Sequence, residues 1–204
     1  MQRLIDQYPL QRGSHASRDD GMCAMEMVSW LSGEAHSDEP DCACPVLAAL
    51  VRACNDAMTE HMRNHHLRPM VPQLVHTRAN ATVERLRGLM VIDCLVRVLL
   101  PKWLDRHSHR AEADLLRGIP PILNLSHVRA AARVITTYAD DHRAAQWVLE
   151  RALDGVTPAR YVAGIVQLAR ALSDNETWAT MAALIKRMAA VRIARENSLI
   201  TPQL

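Results

Sequence analysis

The chain has 204 residues, 49% of them hydrophobic and only 3% aromatic, and carries a formal net charge of +2. That length supports a single core of ordinary size, and a nearly balanced charge lacks the basic excess that marks a nucleic-acid binder. Abundant Ala, Leu, Met and Arg, with no Phe and three Tyr, argue against a strand-rich chain and predict an all-α fold.

Residues 1–20 read as an irregular N-terminal segment, rich in loop chemistry (Gly13-Ser14-His15, Asp19-Asp20-Gly21). Asp20 is the expected cap of a first helix over about Met22 to Ser32, which Gly33 stops. A polar connection follows from Glu34 to Cys44. Pro45 then opens a second helix, where its missing N–H costs nothing. Leu47, Leu50, Val51, Cys54 and Met58 form its apolar stripe. Pro69 and Pro72 break the His-rich stretch 61–80, leaving one short helix there. The segment Thr82–Leu104 is apolar almost all round, which predicts a central, buried helix with a kink at Pro101. Within it, Asp93 and Arg97 are spaced as an i,i+4 ion pair.

A short helix with a proline turn is expected over Leu115 to Leu125, then a helix from the Ser126 cap to about Tyr138 and another over 141–153. Thr157-Pro158 opens a helix to Leu172, and Ser173 or Asp174 starts a last helix that runs into the charged stretch Arg192 to Asn197. The sum is an irregular bundle of seven to nine helices. No composition shift divides it, so residues 1–204 are expected to form one domain. The N-terminus has no apolar core of a secretory signal and no run approaches the roughly 20 apolar residues of a membrane span, which predicts a cytoplasmic protein. Its five cysteines are then reduced thiols.

The first quarter holds the candidate chemistry. Cys23 falls in the first turn of one helix and Cys44 at the cap of the next, where free N–H groups and the helix dipole favour a thiolate. One reading is a zinc site built from Cys23, Cys42 and Cys44 with His15 or His36, since thiolate and imidazole suit that metal. Cys42-Ala43-Cys44 is tighter than the usual metal-binding knuckle. A second reading makes Cys23 a nucleophile, assisted by His15 and Glu26. A third is architectural: free cysteine packs as a small hydrophobe, as Cys54 and Cys94 on their apolar stripes are expected to do. His61 and His65 stand one turn apart if their stretch is helical, a spacing that binds metal, although a solvated polar loop is the simpler expectation. Arginines recurring from Arg129 to Arg170 alternate with acidic residues and read as solvated helix faces. No phosphate-binding glycine loop, HExxH, GxSxG or EF-hand pattern is present.

The block from Asp20 to Glu34 (DGMCAMEMVSWLSGE), with Ser37-Asp38, Pro40, Cys42-Ala43-Cys44-Pro45 and the pair Asn55-Asp56, resembles a group of uncharacterised proteins of bacteria and their phages. The resemblance covers roughly residues 12–78. It transfers no activity, but it groups His15, Cys23, Glu26, Asp38, Asn55 and Asp56 as a polar constellation. The expectation ranked first is a non-enzymatic helical interaction module that presents the 12–45 segment to a protein partner. A zinc-type metal protein and a Cys23-dependent enzyme are the alternatives. No cofactor other than zinc, no membrane and no nucleic acid is called for, and a homo-oligomer is compatible with the sequence.

Overall fold

A computed structural model of the chain describes residues 5–124, 126–131 and 158–191. The expected helix over 141–153, and the stretch of the 126–138 helix beyond 131, lie outside the described residues. The fold is all-α, and among the described residues there is no strand. None of the described helices is long and apolar enough to cross a membrane.

The first helix, α1 (Ala24–Ser32), starts later than the sequence suggests because Cys23, not Asp20, is its cap. Asp20 instead closes a 3-10 turn, Arg18–Asp20, with its carboxylate accepting from the Ser17 hydroxyl. Between that turn and α1, Gly21 sits at φ 128°, and a Cβ there would meet the Gln11 side chain at 2.5 Å. Glycine is required at this crossing of the chain over itself. Gly33 ends α1 in the left-handed conformation, returning its N–H to the carbonyls of Ser29 and Trp30.

Pro45 opens α2 (Pro45–Ala57), whose buried stripe of Val46, Leu47, Leu50, Val51 and Cys54 follows the predicted spacing. This helix packs against α1, against α5 (Ala81–Cys94) and against the C-terminal pair α8 (Pro158–Leu172) and α9 (Asn175–Ala190). The centre is therefore shared between α2 and the 81–106 rod. Where one short helix was expected, the chain forms α3 (Glu60–His66), a 3-10 turn at Arg68–Met70 and the single-turn α4 (Val71–Leu74).

The predicted 82–104 helix is a continuous rod with three sections: α5, a π-helical turn over Leu95–Leu99, and α6 (Leu100–Arg106). Pro101 lacks an N–H and its ring crowds the carbonyl four residues back. Widening the preceding turn relieves that clash, and the N–H of Leu100 bonds the carbonyl of Leu95 instead. Asp93 and Arg97 pair at 3.1 Å as spaced, both half-buried, and Asp93 also takes the N–H of Ile122. Inside the rod, fully buried Arg87 donates to the carbonyls of Thr77, Met188 and Val191, tying it to the end of α9.

The next helix, α7, runs over Arg110–Arg117 rather than 115–125. Its apolar contribution is only Ala113 and Leu116, too sparse for the periodicity to mark its start, and it ends at Gly118, ahead of Pro120-Pro121, where the expected turn is replaced by chain that is neither helix nor turn. Pro158 is the first residue of α8, as predicted, while Thr157, its expected cap, lies outside the described residues; Asp174 opens α9, its side chain accepting from Thr177 N–H. The last helix ends at Ala190, short of Arg192–Asn197, which lies outside the described residues.

Candidate functional site

Most of the predicted polar constellation gathers in a single place. It forms where the irregular N-terminal segment crosses the start of α1 and the end of α2. Glu26 stands three residues into α1 and is 1% exposed. Its Oε2 accepts from the backbone N–H of Cys23 at 2.7 Å, and the Cys23 sulfur accepts in return from the N–H of Glu26 at 3.4 Å. This is a capping box with cysteine in the place usually taken by serine or threonine. Glu26 Oε1 accepts from the backbone N–H of His15 at 2.6 Å, and Oε2 also faces the His15 ring, with Nδ1 at 2.8 Å. His36 Nε2 lies 3.1 Å from the carbonyl of His15 and 3.7 Å from Glu26 Oε1.

The electrostatics follow from those contacts. Burial pushes the Glu26 carboxyl up, but the N–H groups of Cys23 and His15 and the His15 ring outweigh it and hold the group below its ordinary value. Glu26 is therefore a carboxylate, so His15 Nδ1 carries the proton that it donates. His36 Nε2 likewise donates to the His15 carbonyl, since a carbonyl only accepts.

Cys23 goes the other way. Burial, aided by the adjacent Glu26 charge, pushes its thiol up to about 12, against the smaller lowering effect of the N–H groups of Glu26 and Met25. The expectation that a helix N-terminus would make it a thiolate is overturned, because the residue is 2% exposed and desolvation dominates. His15 and Glu26 do form the imidazole–carboxylate pair that the nucleophile reading required. The sulfur they were to activate serves as a helix cap instead.

The zinc set does not assemble. Cys44 is the cap residue before Pro45, as predicted, but it is fully buried and its N–H donates to the Thr77 hydroxyl. Cys42 is half-buried, with its backbone N–H on Glu34. Cys54 and Cys94 are core residues, as expected. Among the described residues no three His, Cys, Asp or Glu side chains stand so as to hold a metal ion. The His15 and His36 rings are turned to Glu26 and the His15 backbone instead.

Asn55 and Asp56 belong to the crossing. Fully buried Asn55 accepts from Ala24 N–H and donates to the Gln11 carbonyl, and Asp56 accepts from Gly13 N–H. Asp38 does not join them. It lies on the connection after α1, where Arg52 binds its carbonyl at 2.8 Å and pairs with Glu39. Glu34 closes the same connection by accepting from the N–H groups of Asp41 and Cys42, and Ser29 donates to the carbonyl of Ser37.

Two contributors had no legible signal. Buried Arg63 donates to the carbonyls of Leu10, Asn55 and Met58, and Asn64 holds the N–H of Leu10. Both look like ordinary polar residues of a short helix. On the outer surface of the block, Tyr8 meets Trp30 edge-on with ring centroids 5.2 Å apart, and the Arg18 guanidinium lies 5.0 Å over the Trp30 ring. No protein-family model matches this chain, and no curated protein or solved structure is significantly similar to it.

Proposed function

We propose that this chain is a non-enzymatic helical interaction module whose 12–45 segment forms a preorganised surface for a protein partner. The observation that supports this most is the saturation of Glu26. Its two oxygens take two backbone N–H groups and one imidazole, so the groups that catalysis would need hold the segment in place instead. Asn55, Asp56, Glu34 and Arg52 are used in the same way. Side-chain bonds of this kind fix irregular chain in one conformation and lower the entropy lost when it docks. The surface so held combines Tyr8, Arg18 and Trp30 with the acidic 34–41 connection. Aromatic and arginine side chains are the types enriched where binding energy concentrates.

A photo-crosslinking amino acid tests the reading. Placed at Ala16 or Asp41, both exposed, it should capture one and the same partner in cell extract. Placed at Gln167 or Lys186, exposed on α8 and α9, it should capture none. Equal capture from both faces, or capture unchanged after the 34–44 connection is replaced by a Gly-Ser sequence, would overturn it.

A further inference from the structure

A different histidine cluster, on α3 and outside the 12–45 segment, has the opposite character from His15 and His36. The stretch around His61 is helical after all, so His61 and His65 project from one face of α3. Their rings are parallel to within 7°, with centroids 6.0 Å apart, and both side chains are exposed. They border a solvent-open cavity of about 830 Å³, lined also by Pro9, Glu60, Asn64 and Arg68. The rings of His15, His36, His107 and His127 are each committed to a carboxylate or a carbonyl. Among the described residues, no hydrogen bond holds the ring of His61 or of His65.

We propose that His61 and His65 form a two-imidazole site for a borderline divalent transition metal of the zinc, nickel or copper class, with water in the remaining positions. Imidazoles four residues apart on a helix are a recurrent metal-binding pair because one face presents both lone pairs to one point. At bond lengths of about 2.0–2.1 Å, two nitrogens on a tetrahedral ion stand roughly 3.4 Å apart. Exposed rings reach that separation by turning about their side-chain torsions. The helix beneath them is fixed, since Arg63 and Asn64 on its inner side clamp it to the carbonyls of Leu10, Asn55 and Met58. Glu60 and Arg68 on the rim offset each other in charge, so the lining carries no excess of positive charge to hold an anion. Met62 stands where the helical zinc peptidases carry their glutamate base, so the site binds metal without that chemistry. His66 is excluded, because its Nε2 is buried in the protein.

The test uses the untagged full chain freed of metal by chelation, titrated with nickel chloride or zinc chloride and followed by calorimetry and thermal melting. The expected result is one ion per chain, a raised melting temperature, and a loss of affinity of about tenfold or more in His61→Ala and in His65→Ala. The metal-free variants should melt within about 2 °C of the parent, as surface substitutions do. If an alanine variant melts lower than that, His65→Gln takes its place with the same expectation. Unchanged affinity in these variants overturns the proposal, as does binding lost in Cys42→Ser but kept in His65→Ala. Stabilisation by inorganic phosphate and not by metal, abolished in Arg68→Ala, overturns it equally.

Discussion

Between residues 10 and 57 an irregular N-terminal segment crosses the start of α1 and the end of α2, and polar side chains carry the joins. Glu26 holds the backbone of His15 and Cys23, and Asn55 holds that of Gln11 and Ala24. At the other end, α8 and α9 pack on α2 and on each other with plain apolar faces that include Ile165, Ala169, Met181 and Leu184, all with 0% exposure. Their polar contacts lie at the rim, where Asp174 caps α9 and pairs with Lys102 and Arg106. Both regions use a carboxylate to satisfy the N–H groups at a helix start. They differ in solvation: Glu26 is 1% exposed and Asp174 27%. A buried acceptor that is removed leaves donors with nothing to bond, whereas water replaces an exposed one. The same chemical role therefore carries a different energetic weight in the two places.

Glu26→Ala sets the upper end of that scale. It leaves the buried N–H of Cys23 and the partly buried N–H of His15 unpaired, and the expected loss is about 3 kcal/mol in urea unfolding. A loss under about 1 kcal/mol would mean that water enters the crossing, and the contrast with Asp174 would collapse. Asn55→Ala should cost about 2 kcal/mol by the same reasoning, since one acceptor and one donor are lost together.

Acid sharpens the comparison. Glu26 titrates below its ordinary value of 4.5 in the folded chain, and Asp174 falls from 3.8 to about 2. In each case burial pulls upward and hydrogen-bond donors win, Thr177 N–H and Lys102 leading for Asp174. A depressed folded pKa gives stability that is present above the unfolded value and lost as pH falls through the folded one. Stability measured in urea should therefore decline below about pH 4.5, and Glu26→Gln should flatten the slope. An unaltered slope in that variant would assign the acid sensitivity to other carboxylates.

How much of this could be read in one dimension follows from the range of each interaction. The apolar stripe of α2, the proline that starts α8, the Asp174 cap and the Asp93–Arg97 pair are set within a few residues, and their spacing reveals them. The α1 cap differs from the expected one by three residues because cysteine is a weak acceptor. Yet Cys23 followed by Glu26 is chemically the Ser-x-x-Glu box. At Pro101 the sequence shows only a kink and not the π-helical turn, since a proline indicates that a helix must adjust but not how. The crossing is visible as a set of residues and hidden as a geometry. Gln11 meets Asn55 across 44 positions, and Leu10 meets Asn64 across 54, so only the packing of whole helices decides those partners. The burial that raises the Cys23 pKa is hidden for the same reason.

The rim of the C-terminal pair should respond weakly. Asp174→Ala removes a helix cap and is expected to cost about 1 kcal/mol. Lys102→Ala removes two partly exposed ion pairs, to Asp174 and Glu176, and should cost about 1 kcal/mol or less, shrinking further in high salt. If either matched Glu26→Ala, burial would not be what separates the two regions.

Cys23→Ser should have the smallest effect on stability and the most to say about chemistry. A hydroxyl is a better cap acceptor than a thiol, which favours the variant, while the site is closed to water, so that burying the more polar hydroxyl favours the parent. The two should cancel to within about 1 kcal/mol. Thiol labelling near neutral pH supplies the decisive readout. Cys42 alone among the five cysteines is not buried, so it should be modified first in parent and variant alike. With its thiol raised to about 12, Cys23 should react only as fast as the crossing opens. Should Cys23→Ser instead abolish a fast-labelling site, the thiol would be ionised in the folded chain. His15 and Glu26, already paired beside it at 2.8 Å, would then be the base and carboxylate of a cysteine enzyme.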